Sequence, residues 1–223
     1  MMKPHSKTLT LKEIETQIGS LSKPSKMPCH GYSLPATQCK RGAILRQIKN
    51  SVCSGCYALK NRYMFNNVQT ALHKRLDALE ADIDTWQRLL TELINRKEKS
   101  GYFRWHDSGD IQSPEHLSAI NNIAFALPHI KFWIPTREFG LVKEWAKTNE
   151  IAPNLAIRIS ANMIGQNLSR PSIGSTKLTT SSVGAAQTLS DNRNCPAPQQ
   201  DNECKDCRSC WDTKVSNINY TLH

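Results

Sequence analysis

Three successive segments of the sequence each begin with a strand-like run, continue with polar residues and lead into a helix-like run. The first covers residues 103–117, where strand-type residues lead into Asp107-Ser-Gly-Asp110, and Ser113 and Pro114 supply a helix N-cap and first turn. The second covers residues 131–148, and the third starts with residues 154–162. Strands that alternate with helices are typical of βαβ units, so the sequence predicts an α/β fold with a parallel sheet.

Apolar and polar side chains alternate in these strands. Residues 155, 157, 159 and 161 are apolar, whereas Arg158, Ser160 and Asn162 would share the opposite face. Parallel strands that are covered on both faces are usually apolar throughout. We therefore expect a small or partial β/α barrel-like sheet, with one face towards a polar cavity that carries Arg104, His106 and Arg158.

The carboxyl ends of the strands hold the candidate chemistry, because the loops there share one open face in parallel α/β folds. His106, Asp107 and Asp110 are the predicted catalytic residues. Two neighbouring carboxylates should raise the pKa of one of them, which leaves an acid beside a base. The predicted substrate-binding residues are Arg104, Trp105, Trp133, Arg137, Glu138, Arg158 and Asn162.

Eight cysteines in a chain with the features of a cytosolic protein favour metal binding over disulfides. The predicted metal ligands form a first group of Cys29, Cys39, Cys53 and Cys56 and a second group of Cys195, Cys204, Cys207 and Cys210. The pair Cys53-x-x-Cys56 is a good metal knuckle. Three cysteines at successive spacings of two favour a [4Fe–4S] cluster, with zinc as the competitor.

The net charge of +10 is concentrated near the N-terminus. Residues 1–62 contain only Glu13 and Glu15 as acids, against Lys3, Lys7, Lys12, Lys23, Lys26, Lys40, Arg41, Arg46, Lys49, Lys60 and Arg62. A basic region of this kind binds phosphate backbones through charge neutralisation and counterion release. The predicted partner is nucleic acid, with DNA favoured over RNA.

The remaining predictions concern organisation and location. No apolar run has transmembrane length and residues 1–19 lack a signal core, so we expect a cytoplasmic protein with no membrane partner. We divide the chain into a basic lobe (1–66), an α/β core (67–162, continuing to about 190) and a C-terminal cysteine segment (191–223). Residues 67–99 carry one apolar helical stripe, which Asp82 and Asp84 could divide. The sequence carries no signal for oligomeric state.

Several motifs together resemble a family found in phages, prophages and plasmids and described as gene product eighty-eight. They are Ser33-Leu-Pro-Ala36, Cys53-x-x-Cys56-Tyr-Ala58, residues 106–110 and the strand of residues 132–137. This resemblance implies a phage-type protein in the bacterial host cytoplasm. A weaker likeness is to the tRNA- and DNA-guanine transglycosylases, whose Asp-Ser-Gly-Gly-Phe-Gln signature is similar to residues 107–112, with Asp110 in place of the second glycine.

Three hypotheses follow. The first is a metal-containing enzyme that modifies or exchanges bases in DNA, a transferase of the transglycosylase kind acting on an extruded base. The second is an iron–sulfur enzyme similar to radical S-adenosylmethionine proteins, in which Cys39, Cys53 and Cys56 leave one iron open if Cys29 is not a ligand. The third is a non-enzymatic, metal-stabilised nucleic-acid-binding protein.

Overall fold

The structure, a computed structural model, describes residues 8–173, 176–184 and 192–222. Its helices are α1 (Leu11–Ile18), α2 (Lys40–Arg46), α3 (Asn66–Ala81), α4 (Ile83–Lys97), α5 (Pro114–Ala126) and α6 (Phe139–Trp145). Its strands are β1 (Gly31–Tyr32), β2 (Tyr102–Trp105), β3 (Lys131–Thr136), β4 (Leu155–Ser160), β5 (Ser172–Ile173), β6 (Thr176–Lys177), β7 (Thr179–Val183), β8 (Asn192–Asn194) and β9 (Asn217–Tyr220). The chain is therefore of mixed α/β class, as the sequence predicts.

Seven of the strands form one open sheet in the order β1-β2-β3-β4-β7-β9-β8, and every neighbouring pair in it is parallel. β5 and β6 form a separate antiparallel pair. The first four strands lie side by side in chain order, which is the order a partial barrel would have. The sheet does not close, because β1 and β8 are its two edges.

The main core lies between one face of the sheet and the helices. Phe103 and Trp105 of β2 and Ile157 of β4 point into this core, where they join apolar residues of α1, α3, α4, α5 and α6. The alternation of apolar residues along β2 and β4 therefore predicts the covered face correctly. Because α1 and β1 belong to the same core and sheet as residues 67–162, the basic N-terminal segment packs directly against the α/β part.

No α-helix in the described ranges covers the opposite face of the sheet, which we call the helix-free face; irregular chain and a 3₁₀ turn at Ser209–Trp211 lie on it. Cys29, Trp133 and Trp211 form a second buried cluster there, and Tyr102 and Tyr220 pack against it. The Trp211 indole donates a hydrogen bond to the Phe103 carbonyl at 2.8 Å, which attaches the segment after Cys210 to β2. Cysteine-bearing segments thus take the place that helices occupy in a doubly covered sheet.

The helical stripe of residues 67–99 divides at Asp82, as its sequence suggests. Asp82 has an extended backbone (φ −160°), and its carboxylate accepts hydrogen bonds from the backbone N–H groups of Asp84 and Thr85, both at 3.1 Å. This is the N-cap geometry that begins a new helix. α3 and α4 are consequently two helices.

His106 does not continue the alternation of β2. Its φ of +51° lies in the left-handed region, so the strand ends at Trp105 and the side chain turns away from the direction that alternation would give it. The His106 ring lies in the main core, with its centroid 5.4 Å from that of His116 on α5 and 6.2 Å from that of Trp105. The prediction that His106 shares a polar cavity with Arg104 is therefore wrong.

None of the helices in the described ranges is long and apolar enough to cross a membrane.

Candidate functional site

Residues 39–56 cover the carboxyl ends of β2, β3 and β4, which we call the carboxyl edge of the sheet. The Val52 N–H donates to the Asn162 carbonyl after β4 at 2.9 Å, and the Arg41 N–H donates to Oε1 of Glu138 after β3 at 2.7 Å. The Lys40 ammonium donates to the Gln112 carbonyl after β2 at 2.5 Å. Three consecutive strand ends therefore hold this segment, and Glu138 and Asn162, both predicted to bind substrate, lie at these ends and accept hydrogen bonds from the covering chain.

Three cysteines, which we call the edge cysteine group, lie together in this covering segment: Cys39, Cys53 and Cys56. Gly42 lies between two of them. A Cβ added at Gly42 would come 2.8 Å from the Cβ of Cys39 and 3.8 Å from the sulfur of Cys53. Burial raises the pKa of the Cys39 thiol to about 12, and the neighbouring Asp110, Cys56 and Cys53 add to that shift. The group is therefore compact, shielded and next to a predicted catalytic carboxylate.

Asp110 joins the ends of β2 and β3. Its Oδ1 accepts from the Thr136 hydroxyl at 2.6 Å and from the Ile111 N–H at 2.8 Å, and its Oδ2 accepts from the Arg137 N–H at 2.9 Å. Burial raises its pKa to about 6 despite these hydrogen bonds, and Glu138 is the carboxylate that raises it further. The raised pKa of Asp110 thus arises from burial and from Glu138, whereas the sequence predicts such a shift from the neighbouring pair Asp107 and Asp110.

Asp107 lies just after the carboxyl end of β2 and is partly buried. Its carboxylate accepts hydrogen bonds from the Tyr63 hydroxyl at 3.0 Å and from the Ser33 hydroxyl. The Tyr57 hydroxyl donates to the Asp107 carbonyl. Asp107 is thus the more accessible of the two aspartates and is surrounded by hydroxyl groups, two of them on tyrosines that flank the edge cysteine group.

Arg137 brings a cation to the edge. Its Nε–H donates to the Ala161 carbonyl at 3.2 Å, and its positive charge lowers the pKa of Cys53, against the larger effect of burial. The residues that the structure brings together at the carboxyl edge are therefore Asp107, Asp110, Arg137, Glu138, Asn162, Cys39, Cys53 and Cys56.

Cys29 lies elsewhere, which corrects the predicted first group. It is buried on the helix-free face of the sheet beside Cys204, and Glu98 and Arg104 are its charged neighbours. The physical reason is the short β1, which follows Cys29 and separates it from the edge by the length of the strand. We call Cys29, Cys195, Cys204, Cys207 and Cys210 the face cysteine group.

Two arginines lie near the face cysteine group. The Arg104 guanidinium lies 4.7 Å from the ring centroid of Trp133, and that of Arg208 lies 5.2 Å from the ring centroid of Tyr102. Both cations lower the thiol pKa values of Cys29 and Cys204, against the larger effect of burial. The Arg104 guanidinium therefore lies on the helix-free face. Against the effect of burial, the nearby Tyr57 and Asp107 of the carboxyl edge raise its pKa.

Arg158 is fully buried and bonds only to backbone. Its Nε donates to the Cys210 carbonyl at 2.8 Å, and its two terminal nitrogens donate to four more carbonyls, those of Ser209, Asp212, Val215 and Thr180. Every N–H of the guanidinium has an acceptor. Arg158 holds the segment around Cys210 in place, and the prediction that it binds substrate is wrong.

Three further site predictions are corrected by burial. Trp105 is 0% exposed between Phe103 and Phe132, so no base can stack on it. Trp133 packs against Trp211 on the helix-free face, away from the edge. His106 is 3% exposed, and neither ring nitrogen has a partner among the described residues; burial, followed by Arg104, lowers its pKa to about 3. It stays neutral in the core and is not positioned as a general acid.

No three His, Cys, Asp or Glu side chains in the described ranges lie close enough together to bind one ion as they stand. The two cysteine groups are neighbouring thiols, and a metal or cluster would have to draw them in. A groove of about 710 Å³ between α1 and α3, lined by Gln69, His73 and Asp77 among others, contains none of the predicted site residues.

Ser33, Tyr57 and Tyr63 are not among the predicted site residues, although all three contact Asp107. Tyr57 directly follows Cys56, and Ser33 directly follows β1. Position after a parallel strand is the signal that identifies Ser33, because the end of that strand must reach the same edge as Asp107.

Comparison with known proteins gives one match. A family model described as Gene product 88 matches residues 4–213. No curated protein and no solved structure matches the chain. The similarity to guanine transglycosylases is not supported by these comparisons. Since the family model spans both cysteine groups and the strand ends between them, the chain belongs to the gene product 88 family.

Proposed function

We propose that the protein is an iron–sulfur enzyme of the S-adenosylmethionine-dependent radical kind, with its active site at the carboxyl edge of the sheet. The observation that carries this proposal is the composition of the edge cysteine group. With Cys29 on the other face, three thiols remain. A [4Fe–4S] cluster bound by three thiolates has one iron without a protein ligand.

The position of the edge cysteine group supports this proposal. It lies on the loop that follows β1 and covers the carboxyl ends of β2, β3 and β4, where parallel α/β folds place their chemistry. The side-by-side order of the first four strands, with helices on one face, is the arrangement expected for a partial β/α barrel.

The surrounding residues would have different roles in such a site. Cys39, Cys53 and Cys56 would hold the cluster, and a reduced cluster would supply the electron that cleaves S-adenosylmethionine. Arg137 offers a cation for a carboxylate or phosphate. Asp107, held by Ser33 and Tyr63, offers an accessible carboxylate for the amine or hydroxyl groups of a bound ligand. Asp110 fixes the ends of β2 and β3 relative to one another.

The same geometry gives less support to base exchange. A nucleophilic carboxylate needs a free oxygen that faces the substrate. Both oxygens of Asp110 accept hydrogen bonds from β2 and β3, and the residue is 6% exposed. Asp107 alone remains accessible, and a single carboxylate cannot act as nucleophile and general acid in turn without a second titrating group.

We propose nucleic acid as the substrate because the chain around the edge cysteine group is basic and partly aromatic. Residues 16–76 contain no Asp or Glu. Exposed cations at Lys40, Arg41, Lys49, Lys60 and Arg62 alternate with exposed side chains such as Tyr57 (54%) and Phe65 (57%). Cations with exposed aromatic rings bind the backbone and stack the bases of unpaired nucleic acid.

The enzyme proposal is tested with protein purified and reconstituted without oxygen. Reduced wild-type protein should convert S-adenosylmethionine into methionine and 5′-deoxyadenosine, measured by liquid chromatography. Cys53→Ala and Cys56→Ala should abolish cleavage and remove one cluster's iron. Cys29→Ala is the matched control and should retain cleavage. Wild-type protein that holds a cluster at the edge cysteine group and yields no deoxyadenosine contradicts the proposal.

The substrate proposal is tested by anisotropy of labelled single-stranded oligonucleotides. Replacing Lys60 and Arg62 together by Glu should weaken binding at least tenfold at moderate salt and reduce the salt dependence, because two phosphate contacts are lost. Lys131→Glu is the control, since this exposed lysine begins β3 at the opposite edge of the sheet. Equal weakening by the control would indicate general charge attraction only.

A further inference from the structure

We propose that Cys195, Cys204, Cys207 and Cys210 bind a second [4Fe–4S] cluster on the helix-free face of the sheet, and that this cluster is closed by four protein thiolates. The inference goes beyond the proposed function, since it concerns a site on another surface that no step at the carboxyl edge requires. The second cluster could be present whether or not the proposed function is correct, and the reverse also holds.

Side-chain contacts bring the cysteines to the same buried cluster. The Cys204 sulfur lies 3.7 Å from that of Met27 and the Cys210 sulfur lies 3.3 Å from the Tyr220 hydroxyl, and Met27, Cys210 and Tyr220 all pack against Cys29, Trp133 and Trp211. Short backbone contacts set the spacing: the Cys207 N–H donates to the Cys204 carbonyl at 2.9 Å, and the Cys195 N–H donates to the Asn219 carbonyl of β9, also at 2.9 Å. Cys204 and Cys207 are thus held on one turn, and Cys195 is held next to Asn219, the neighbour of Tyr220, which contacts Cys210.

The charges around the face cysteine group favour an anionic occupant. Arg104, Arg158 and Arg208 all lie beside its thiols, and none of the three forms an ion pair with a carboxylate among the described residues. Four thiolates around a [4Fe–4S] cluster carry net negative charge, so these three guanidinium groups would stabilise a bound cluster.

The walls of the site are built to hold a fixed, shielded group. Trp133 and Trp211 pack edge to face with ring centroids 5.3 Å apart, which closes the site towards the sheet. Arg158 donates to the carbonyls of Ser209, Cys210, Asp212 and Val215. Four charge-assisted hydrogen bonds thus fix the backbone of the loop that carries Cys210.

Cys29 is the fifth thiol and is assigned no iron. It precedes β1, whereas the other four cysteines of the face cysteine group all follow residue 194. Cys29 is 2% exposed and packs against Trp133 and Trp211. We assign it the role of an apolar wall residue beside the cluster, in keeping with the behaviour of buried free cysteines.

The experiment counts iron and sulfide in the full-length protein after anaerobic reconstitution. Wild type should hold about four irons per cluster, and about eight when the edge cysteine group is also loaded. Cys207→Ala and Cys210→Ala should each hold about four irons fewer than wild type, and Cys29→Ala should hold as many as wild type. A loss of four irons in Cys29→Ala would overturn the ligand assignment. Zinc in place of iron, or full iron in both Cys207→Ala and Cys210→Ala, would overturn the second cluster.

A double variant separates this inference from the proposed function. Cys53→Ala/Cys56→Ala removes the edge cysteine group and should leave about four irons, with an electron paramagnetic resonance spectrum that S-adenosylmethionine does not change. If that variant keeps its cluster while wild type fails to cleave S-adenosylmethionine, only the proposed function fails. If that variant holds no iron, the second cluster fails.

The reduction potential of the second cluster tests the role of the arginines separately from any effect on folding. Arg208→Gln removes a positive charge beside Cys29 and Cys204 and should lower the reduction potential of the second cluster, because reduction adds negative charge. Arg88→Gln is the control, since Arg88 is exposed on α4. An unchanged potential in Arg208→Gln would overturn the charge-balance argument.

Discussion

At the scale of single residues, the function of a side chain follows from its partners in space. Arg158 alternates with apolar residues in β4, which predicts correctly that it lies on the face opposite to the helices. Its partners are five carbonyls from the segments of residues 180 and 209–215. Since a carbonyl has no sequence signature, nothing in the sequence separates a structural arginine here from a substrate-binding one.

Replacing Arg158 should therefore lower stability strongly. Arg158→Met leaves five buried or partly buried carbonyls without their donor, and we expect the free energy of unfolding to fall by at least about 3 kcal/mol. Arg158→Lys should recover only part of this loss, because the three N–H groups of an ammonium cannot bond to all five carbonyls that the planar guanidinium reaches. Urea denaturation measures both. The exposed Arg88→Met should change stability by less than about 0.5 kcal/mol; equal effects at both positions would contradict the structure.

The pH dependence of stability should reveal His106. Its folded pKa of about 3 lies below the unfolded value of 6.5, so its contribution is complete above pH 6.5 and is lost as the pH falls towards 3. His116, in contact with it, acts in the same direction, and Asp110 acts in the opposite one. His106→Asn tolerates the left-handed backbone and cannot be protonated.

The comparison of wild type with His106→Asn isolates the histidine from these neighbours. The variant should be less destabilised at pH 5 than at pH 7, by about 2 kcal/mol, because only wild type must keep His106 unprotonated in the core. Chemical denaturation at both pH values measures the difference. The same destabilisation at pH 5 and pH 7 would show that His106 can be protonated in the folded protein.

At the scale of elements, the strand–turn–helix units follow from local sequence. The turn after β2 requires Gly109, whose φ of +79° lies in the left-handed region. A Cβ there would come 2.7 Å from the Cβ of Leu34 and 2.8 Å from its carbonyl oxygen. The loops after β1 and β2 therefore pack backbone against backbone, which brings Ser33 within hydrogen-bonding distance of Asp107.

Gly109→Ala should separate these two loops. We expect a loss of about 2 kcal/mol or more from backbone strain and overlap with Leu34. Gly140→Ala is a matched control, because Gly140 lies in α6 with no atom within 4 Å of an added Cβ, and should be neutral or stabilising by up to about 1 kcal/mol. Thermal denaturation compares the two. Similar melting temperatures would contradict the close approach of the loops.

Local patterns were sufficient for β2, β3, β4, α5 and the break at Asp82, because caps, turns and alternation act over a few residues. They were insufficient for the grouping of cysteines. Cys29 lies ten residues before Cys39, yet its neighbour is Cys204. Spacing along the chain can predict that cysteines on one loop bind the same metal. It cannot predict that Cys29 lies beside Cys204, because that placement depends on β1, which separates Cys29 from Cys39.

At the scale of the whole molecule, residues 26–29 and residues 204–211 meet on the helix-free face. The Cys204 N–H donates to the Lys26 carbonyl at 3.1 Å, and the Cys204 sulfur lies 3.7 Å from that of Met27. β8 and β9, which flank the segment of residues 195–216, form the last edge of the sheet. The face cysteine group therefore joins residues 26–29, the sheet and the strands β8 and β9 at its last edge.

Removal of metal should loosen this junction first. Trypsin should cleave after Lys205 and Arg208 faster in chelator-treated protein than in anaerobically loaded protein, because bound metal stabilises the folded segment. Cleavage after the exposed Lys147, beyond α6, is the internal control and should keep its rate. Mass spectrometry of the peptides measures all three sites; identical rates with and without metal would contradict the role of metal in this segment.

The contact between Lys26 and Cys204 also sets an order of events during synthesis. A ribosome releases the segment that carries Cys29 long before it makes Cys204, so the surface that buries this thiol is missing while almost the entire polypeptide is still being translated. Helices α1 to α6 and strands β1 to β4 have all been made by then. Closure of the helix-free face is thus a late step, and an early, unprotected Cys29 is exposed to oxidants for the whole of that interval.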